Sequence, residues 1–453
     1  MPPTPPPPAV ASAGPAAAPA AAPAAQPAAP AARRAVDPAL VVILAGVCAA
    51  LHVGKLPPAI PPLQAALGIT LVQAGFLLAV VQAAGMTAGV AFGALADGLT
   101  PRRSMLLGLA VLAVASGGGG FAEDVLALMV LRAAEGFGFL LVVLAAPALI
   151  RRLVAPERLN LALGLWGAYM PLGTTLALLA GPWVIEAAGW RLWWWALAAV
   201  SAAMALWLAR EVPRAAAAAV PAAAAPGAAA PPPPSLPARL ARTLASRGPW
   251  LLAAAFGVYS GQWLAVIGFL PTIYAQGGTA LGAAGLLTAA AAAANMVGNI
   301  GAGRLLHAGV QPERLLYAGY AVMAACALLA FVVVPGAAAE PAQPLLPPAA
   351  RFVAVLLFSG VGGLVPATLF ALAVRVAPGE GTLSTTVGWM QQGSAIGQFA
   401  GPPLVAWVAG LAGGWHLTWL VTGACSLTGL ALGAALARHL KGAGAAIPLR
   451  HIR

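Results

Sequence analysis

Runs of about 20 apolar residues recur along this chain, and a helix of about that length crosses a hydrocarbon core about 30 Å thick. Cut at charges, prolines and glycine clusters, twelve such runs can be drawn. They start near Ala39, Leu71, Ser104, Val125, Leu159, Trp190, Trp250, Leu281, Arg314, Phe352, Leu383 and Trp415. Inside lipid a backbone must satisfy its own polar groups, so each run is confined to helix. The expected fold class is an all-α polytopic membrane protein with twelve transmembrane helices. Composition agrees, with 61% hydrophobic residues, 8% charged residues and a mean hydropathy of +0.90, outside the range of a soluble globular chain.

Charge sets the direction of the spans. An even number of spans puts both ends of the chain on one side. Of the 23 Lys and Arg, all but four fall on that side; Arg191 and Arg351 fall on the other, and Lys55 and Arg132 fall within spans. Positive charge marks the cytoplasmic face, so both termini are expected there. The formal charge of +12 is spread over short clusters between apolar runs, which argues against a nucleic-acid partner. Cys48, Cys326 and Cys425 stand singly, without metal-ligand spacing. No phosphate-cradling Gly-x-x-x-x-Gly-Lys loop is present. Neither cofactor nor metal is expected.

Residues 1–36, almost all Pro and Ala, lack the pattern of a signal peptide and read as a disordered cytoplasmic tail. A first six-helix bundle is assigned to 37–211, a Pro/Ala-rich cytoplasmic linker to 212–248, a second bundle to 249–441 and a short cytoplasmic tail to 442–453. Within the linker, Leu236, Leu240 and Leu244 share one helical face opposite arginines, the pattern of an interfacial helix.

The halves repeat at an offset of roughly 210 to 225 residues. Pro61 with LQAALGIT parallels Pro271 with TIYAQGGT, GALADGLTPRR parallels GRLLHAGVQPER, Pro147 parallels Pro366, and GWRLWWW parallels GWHLTW. Common order and spacing point to a duplicated six-helix unit. Transporters with parallel halves bind solute near the membrane midplane, between the halves.

From about Asp37 to Arg438 the chain resembles the major facilitator superfamily. Its signature between helices 2 and 3 is matched by Gly93, Asp97, Pro101, Arg102 and Arg103, with Gly98 and Thr100 departing from the usual residues. A weaker second copy has Gly303, His307, Pro312 and Arg314. The helix 4 signature, Arg-x-x-Gln-Gly, appears as Arg132, Glu135 and Gly136. The antiporter signature of helix 5 is broken, since Gly164 and Gly173 fit but Ala177 and Leu178 stand where Gly-Pro is required. GWMQQGSAIGQFAGPPL is similar to bacterial permeases of the cyanate and nitroimidazole group. The resemblance implies two parallel-repeat six-helix bundles and a gating role for Gly93, Asp97, Arg102, Arg103, His307 and Arg314. In it, Asp97 meets the start of helix 11 near Ser384. Glycines at 85, 89 and 93 and at 393, 397 and 401 give two small-residue stripes on helices that face each other across the halves in this family.

Charges deep in a span cost about 2.5 to 3.5 kcal/mol on insertion scales and are normally paired or functional. Arg132 and Glu135 are three residues apart on one helical face and can pair, and Glu135 is the one carboxylate placed deep in the bilayer, hence the proton-coupling candidate. Lys55 falls about 24 Å along the first span, near the outer face, where its stem can either snorkel to water or hold a ligand. His52 lies one turn below it. His52, Lys55 and Arg132 are therefore candidates for an anion-binding patch. Trp166, Tyr169, Tyr259, Gln262, Trp263, Asn295, Asn299, Trp389, Gln391 and Gln392 are further cavity candidates, each alone more often a packing residue.

The function expected is secondary active transport by alternating access. The cargo expected is a small anionic or polar organic solute, coupled to protons, moved across a bacterial inner membrane by a monomer. An exporter of amphipathic drugs is the rival within transport. A membrane-embedded enzyme needs clustered acid/base or metal-ligating residues, and only His52 and Glu135 come close. A non-transporting sensor of the same fold is the third alternative.

Overall fold

The structure, a computed structural model, describes residues 36–88, 100–214, 235–334, 343–379 and 381–445. Among them, nine helices are long and apolar enough to cross a membrane. One, Pro156–Glu211, is broken at Gly189, whose φ of 79° is left-handed, and so holds two spans. The helix opening at Leu71 and the helix Pro101–Gly119 complete the twelve. Span 1 is Pro38–Leu67, span 2 opens with Leu71–Thr87, span 3 is Pro101–Gly119 and span 4 is Val125–Leu153. Spans 5 and 6 lie in Pro156–Glu211. Spans 7 to 12 are Arg247–Gln276, Leu281–His307, Pro312–Phe331, Pro348–Val376, Leu383–Ala412 and Trp415–Gly442. The chain is a multi-pass membrane protein, and the starts read from sequence fall within four residues of these.

Local chemistry explains where spans begin. Asp37 caps span 1 by accepting from the Ala39 N–H at 2.9 Å, with Pro38 at the first helical position. Thr70 and Gln73 form a reciprocal capping box at span 2, and Asp124 accepts from the Ala127 N–H at 2.8 Å at span 4. Span 1 changes character within the bilayer. Its α-helix ends at Gly54, because Pro57 and Pro58 bring no N–H to continue the ladder, and a 3-10 turn at Pro57–Ala59 leads into Ile60–Leu67. The end of that first helix leaves carbonyls without intrahelical donors, which the site below uses.

We call the face where span 1 starts the near face and that where it ends the far face. The halves touch through spans 2 and 11 and through spans 5 and 8. At the first contact Gly75 backs onto Pro402 and Pro403, Gly85 faces Ala395, and Gln82 Nε2 donates to Gln398 Oε1 at 3.1 Å.

The glycines at 393, 397 and 401 do not make that contact. They interlock with Ala253, Gly257 and Gly261 of span 7, inside the second half, so closely that a Cβ at Gly397 would lie 2.6 Å from the Gly257 carbonyl carbon. Gly397→Ala is therefore expected to destabilise by about 1–3 kcal/mol through overpacking. Gly388→Ala, where nothing lies within 4 Å, should be neutral or slightly stabilising; melting both variants in detergent checks the contrast.

The linker segment Leu236–Leu244 is helical. Its Thr243 hydroxyl lies 2.6 Å from that of Thr385, and Leu244 O accepts from Trp250 Nε1 at 2.8 Å, which ties the segment to the starts of spans 11 and 7.

Candidate functional site

Four spans of the first half converge on one polar cluster. Lys55, at the C-cap of the helix that the prolines terminate, extends into the bundle and is fully buried, as are His52 and Glu135, with Arg132 1% exposed. Snorkelling is thereby excluded for Lys55 in this conformation. Its ammonium pairs with Glu135 Oε1, donates to Ser116 Oγ of span 3 at 3.0 Å, and lies 4.5 Å from the centre of the Trp194 ring of span 6. Arg132 Nη1 donates to Glu135 Oε2 at 2.5 Å and to the His52 carbonyl at 2.7 Å. That carbonyl is one of those orphaned at the helix end. Trp193 Nε1 satisfies another, Lys55 O, at 3.1 Å.

The carboxylate thus stands between two cations, and with His52 counted as neutral the trio of Lys55, Arg132 and Glu135 carries one uncompensated positive charge. Arg132 Nε and Nη2 are buried without a hydrogen-bond partner among the described residues. His52 Nδ1 is 3.7 Å from Glu135 Oε1, too far for a hydrogen bond. Each cation also has a neutral partner: Ser116 and the Trp194 face for Lys55, a backbone carbonyl for Arg132. Glu135 has none.

The internal repeat shows which part of this cluster is scaffold. His52 Nε2 lies 2.8 Å from Ser201 Oγ, joining spans 1 and 6. At the corresponding place in the second half, Ser426 Oγ donates to Gln262 Oε1 at 2.9 Å, joining spans 7 and 12. The same clip, one in each half, argues for a packing role for His52. By the offsets of the repeat, Lys55 and Glu135 correspond to Ala265 and Ala354, and among the described residues the ion pairs belong to the first half.

The other candidates are dispersed. Trp166 and Tyr169 stack with centroids 4.3 Å apart, Trp166 against Gly46 in the first half. Tyr259 is buried and accepts from Asn295 Nδ2 at 2.8 Å; Asn295 also donates to Ser359 O at 2.9 Å, and Asn299 donates to Asn295 Oδ1 at 3.0 Å. Trp389 packs edge-on to Trp250 at 4.6 Å, and Gln392 Nε2 donates across the halves to Met86 O at 2.7 Å.

Among the gating candidates, Gly93 and Asp97 lie outside the described residues. Arg102 is buried and turned to its own half, where Nε donates to Val212 O at 2.8 Å and Nη2 to Ala209 O at 2.6 Å, capping the end of span 6. Arg103, His307 and Arg314 are exposed. Sequence reasoning missed Ser116, Ser201, Trp193, Trp194, Gln82 and Gln398. Ser201 and Trp194 carried a usable signal, their repeat partners Ser426 and Trp419.

Comparison with known proteins places the fold. A search of curated proteins finds no match. Two solved structures, of a bacterial homologue of the human lysosomal transporter Spinster in inward-facing unoccupied and occupied conformations, share the fold. The first is 17% identical with a TM-score of 0.64, covering 90% of this chain and 95% of that one. The second is 16% identical with a TM-score of 0.66, covering 89% and 96%. The family model described as Major Facilitator Superfamily matches residues 42–381. With twelve spans in two repeated halves, the chain belongs to the Major Facilitator Superfamily.

Proposed function

We propose that this transporter moves a small anionic or polar organic solute across a bacterial inner membrane, coupled to protons, with its near face cytoplasmic. Membership of the family makes it a transporter and not an enzyme. The observation that carries the finer reading is the buried trio, in which two cations share a single carboxylate.

A proton reaching Glu135 removes the anion that holds Lys55 and Arg132 together. Both cations keep their neutral partners, and both then lack a counterion. An anionic group on the solute supplies one, so a proton and an anion enter the same cluster together. In the conformation described, the cluster is sealed by spans 1, 3, 4 and 6, and the solute must reach it after the bundle rearranges. The unpaired Nε and Nη2 of Arg132 are the donors left for it. Gln82, Gln398 and Gln392 at the seam and the aromatic residues Trp166, Tyr169, Tyr259 and Trp389 serve in this reading as the polar and aromatic wall of the path.

The test uses purified protein in liposomes, a panel of anionic, neutral and cationic solutes, and an imposed pH gradient. Wild type should accumulate an anionic or polar member of the panel against its gradient. Glu135→Gln should lose concentrative uptake yet retain counterflow, which needs no net proton movement. Unchanged pH-driven accumulation in Glu135→Gln rules out Glu135 as the coupling group, and transport confined to cations overturns the substrate class.

A further inference from the structure

The seam between spans 5 and 8 combines close packing with a cleft. The helices touch backbone to backbone, with Gly285 against the Pro182 ring and a Cβ at 285 only 2.8 Å from Leu178 O. Beside that contact lies a cleft of about 330 Å³ walled by Leu179, Trp183, Ala283 and Leu286. Across that cleft runs a polar tie: Glu186 Oε1 of span 5 accepts from the Gly282 N–H of span 8 at 3.1 Å. Gly282 is in the first turn of its helix, and the N-cap residue there, Ala280, has no side-chain acceptor to offer. The first N–H groups of a helix have no partner of their own and sit at the positive end of the helix dipole. Here one of them is capped by a carboxylate from the other half of the molecule.

We propose that Glu186 is a latch on the far face. It caps span 8 while spans 5 and 8 are together and must release the cap whenever they part, so it biases the protein toward the state closed on that side. The two other cross-half hydrogen bonds described above, from Gln82 to Gln398 and from Gln392 to Met86 O, join neutral groups near mid-span. Glu186 is charged and stands near the end of its span, where opening displaces the two helices most. The proposal depends on alternating access alone, and neither the identity of the solute nor proton coupling at Glu135 enters it.

The test reads the opening directly. In full-length protein with Cys48, Cys326 and Cys425 replaced by alanine, spin labels are placed at Glu123 and Leu345. These are exposed residues in far-face loops of the two halves. Glu186→Ala should raise the ratio of long to short inter-label distances about fivefold, the effect of losing one helix cap. Gly282→Pro removes the donor and leaves the acceptor; proline is tolerated in a first helical turn, and a Cβ at 282 meets nothing closer than the Glu186 oxygens at 3.8 and 3.9 Å. It should give the same shift, and the double variant should open no further than either single one, because both remove one bond. Unchanged distances in the two single variants, or additive shifts in the double, overturn the latch.

Discussion

Glu135→Gln is expected to destabilise the protein by about 3–5 kcal/mol, whereas Lys55→Met, which leaves Glu135 Oε1 without its donor, should cost less, about 1–3 kcal/mol. Charge counting within the buried trio produces the order. Removing the carboxylate leaves Lys55 and Arg132 as two buried cations facing each other. Removing the ammonium leaves Arg132 and Glu135 as a balanced pair, still joined through Nη1 and Oε2 at 2.5 Å. The double variant Lys55→Met/Glu135→Gln, with one cation left, should recover part of the loss of Glu135→Gln, a non-additivity expected for groups in one network. Thermal midpoints in detergent for the three variants check this. A Glu135→Gln midpoint at or above that of Lys55→Met would show that charge balance does not organise the cluster.

Transport should respond in a different order from stability. Under the proposed function, Lys55→Ala and Lys55→Met raise the KM for the anionic solute at least tenfold, equivalent to about 1.4 kcal/mol, and Lys55→Arg restores part of it. Because Lys55→Met is expected to remain well folded, it separates ligand binding from scaffold. Initial rates at equal membrane abundance decide the matter. A normal KM in Lys55→Met means that the lysine serves only the internal pairing seen here. For His52 the repeat argues the other way: its clip to Ser201 is matched by Gln262 and Ser426 in the second half, so its contribution is to hold spans 1 and 6 together.

Span number and the internal duplication were determined by sequence alone, because each depends on local properties. A run of apolar residues in lipid must become helix wherever it occurs, caps such as Asp37 and Thr70 act within a few residues, and Arg132 and Glu135 are three residues apart. The partners of these helices were another matter. Lys55 finds Glu135 across 80 residues, Ser116 across 61 and, through His52, spans 1 and 6 meet at Ser201 across 149. In a soluble protein the polar stripe of a helix would show which face is inside. In lipid the outward face is as apolar as the inward one, so periodicity does not separate them. The same ambiguity assigned the glycines at 393, 397 and 401 to a contact between the halves, when backbone contact with Gly257 and Gly261 places them inside the second half. Which faces meet is decided by close packing of small residues and by pairing of the few buried charges, and both exist only once the twelve helices have assembled.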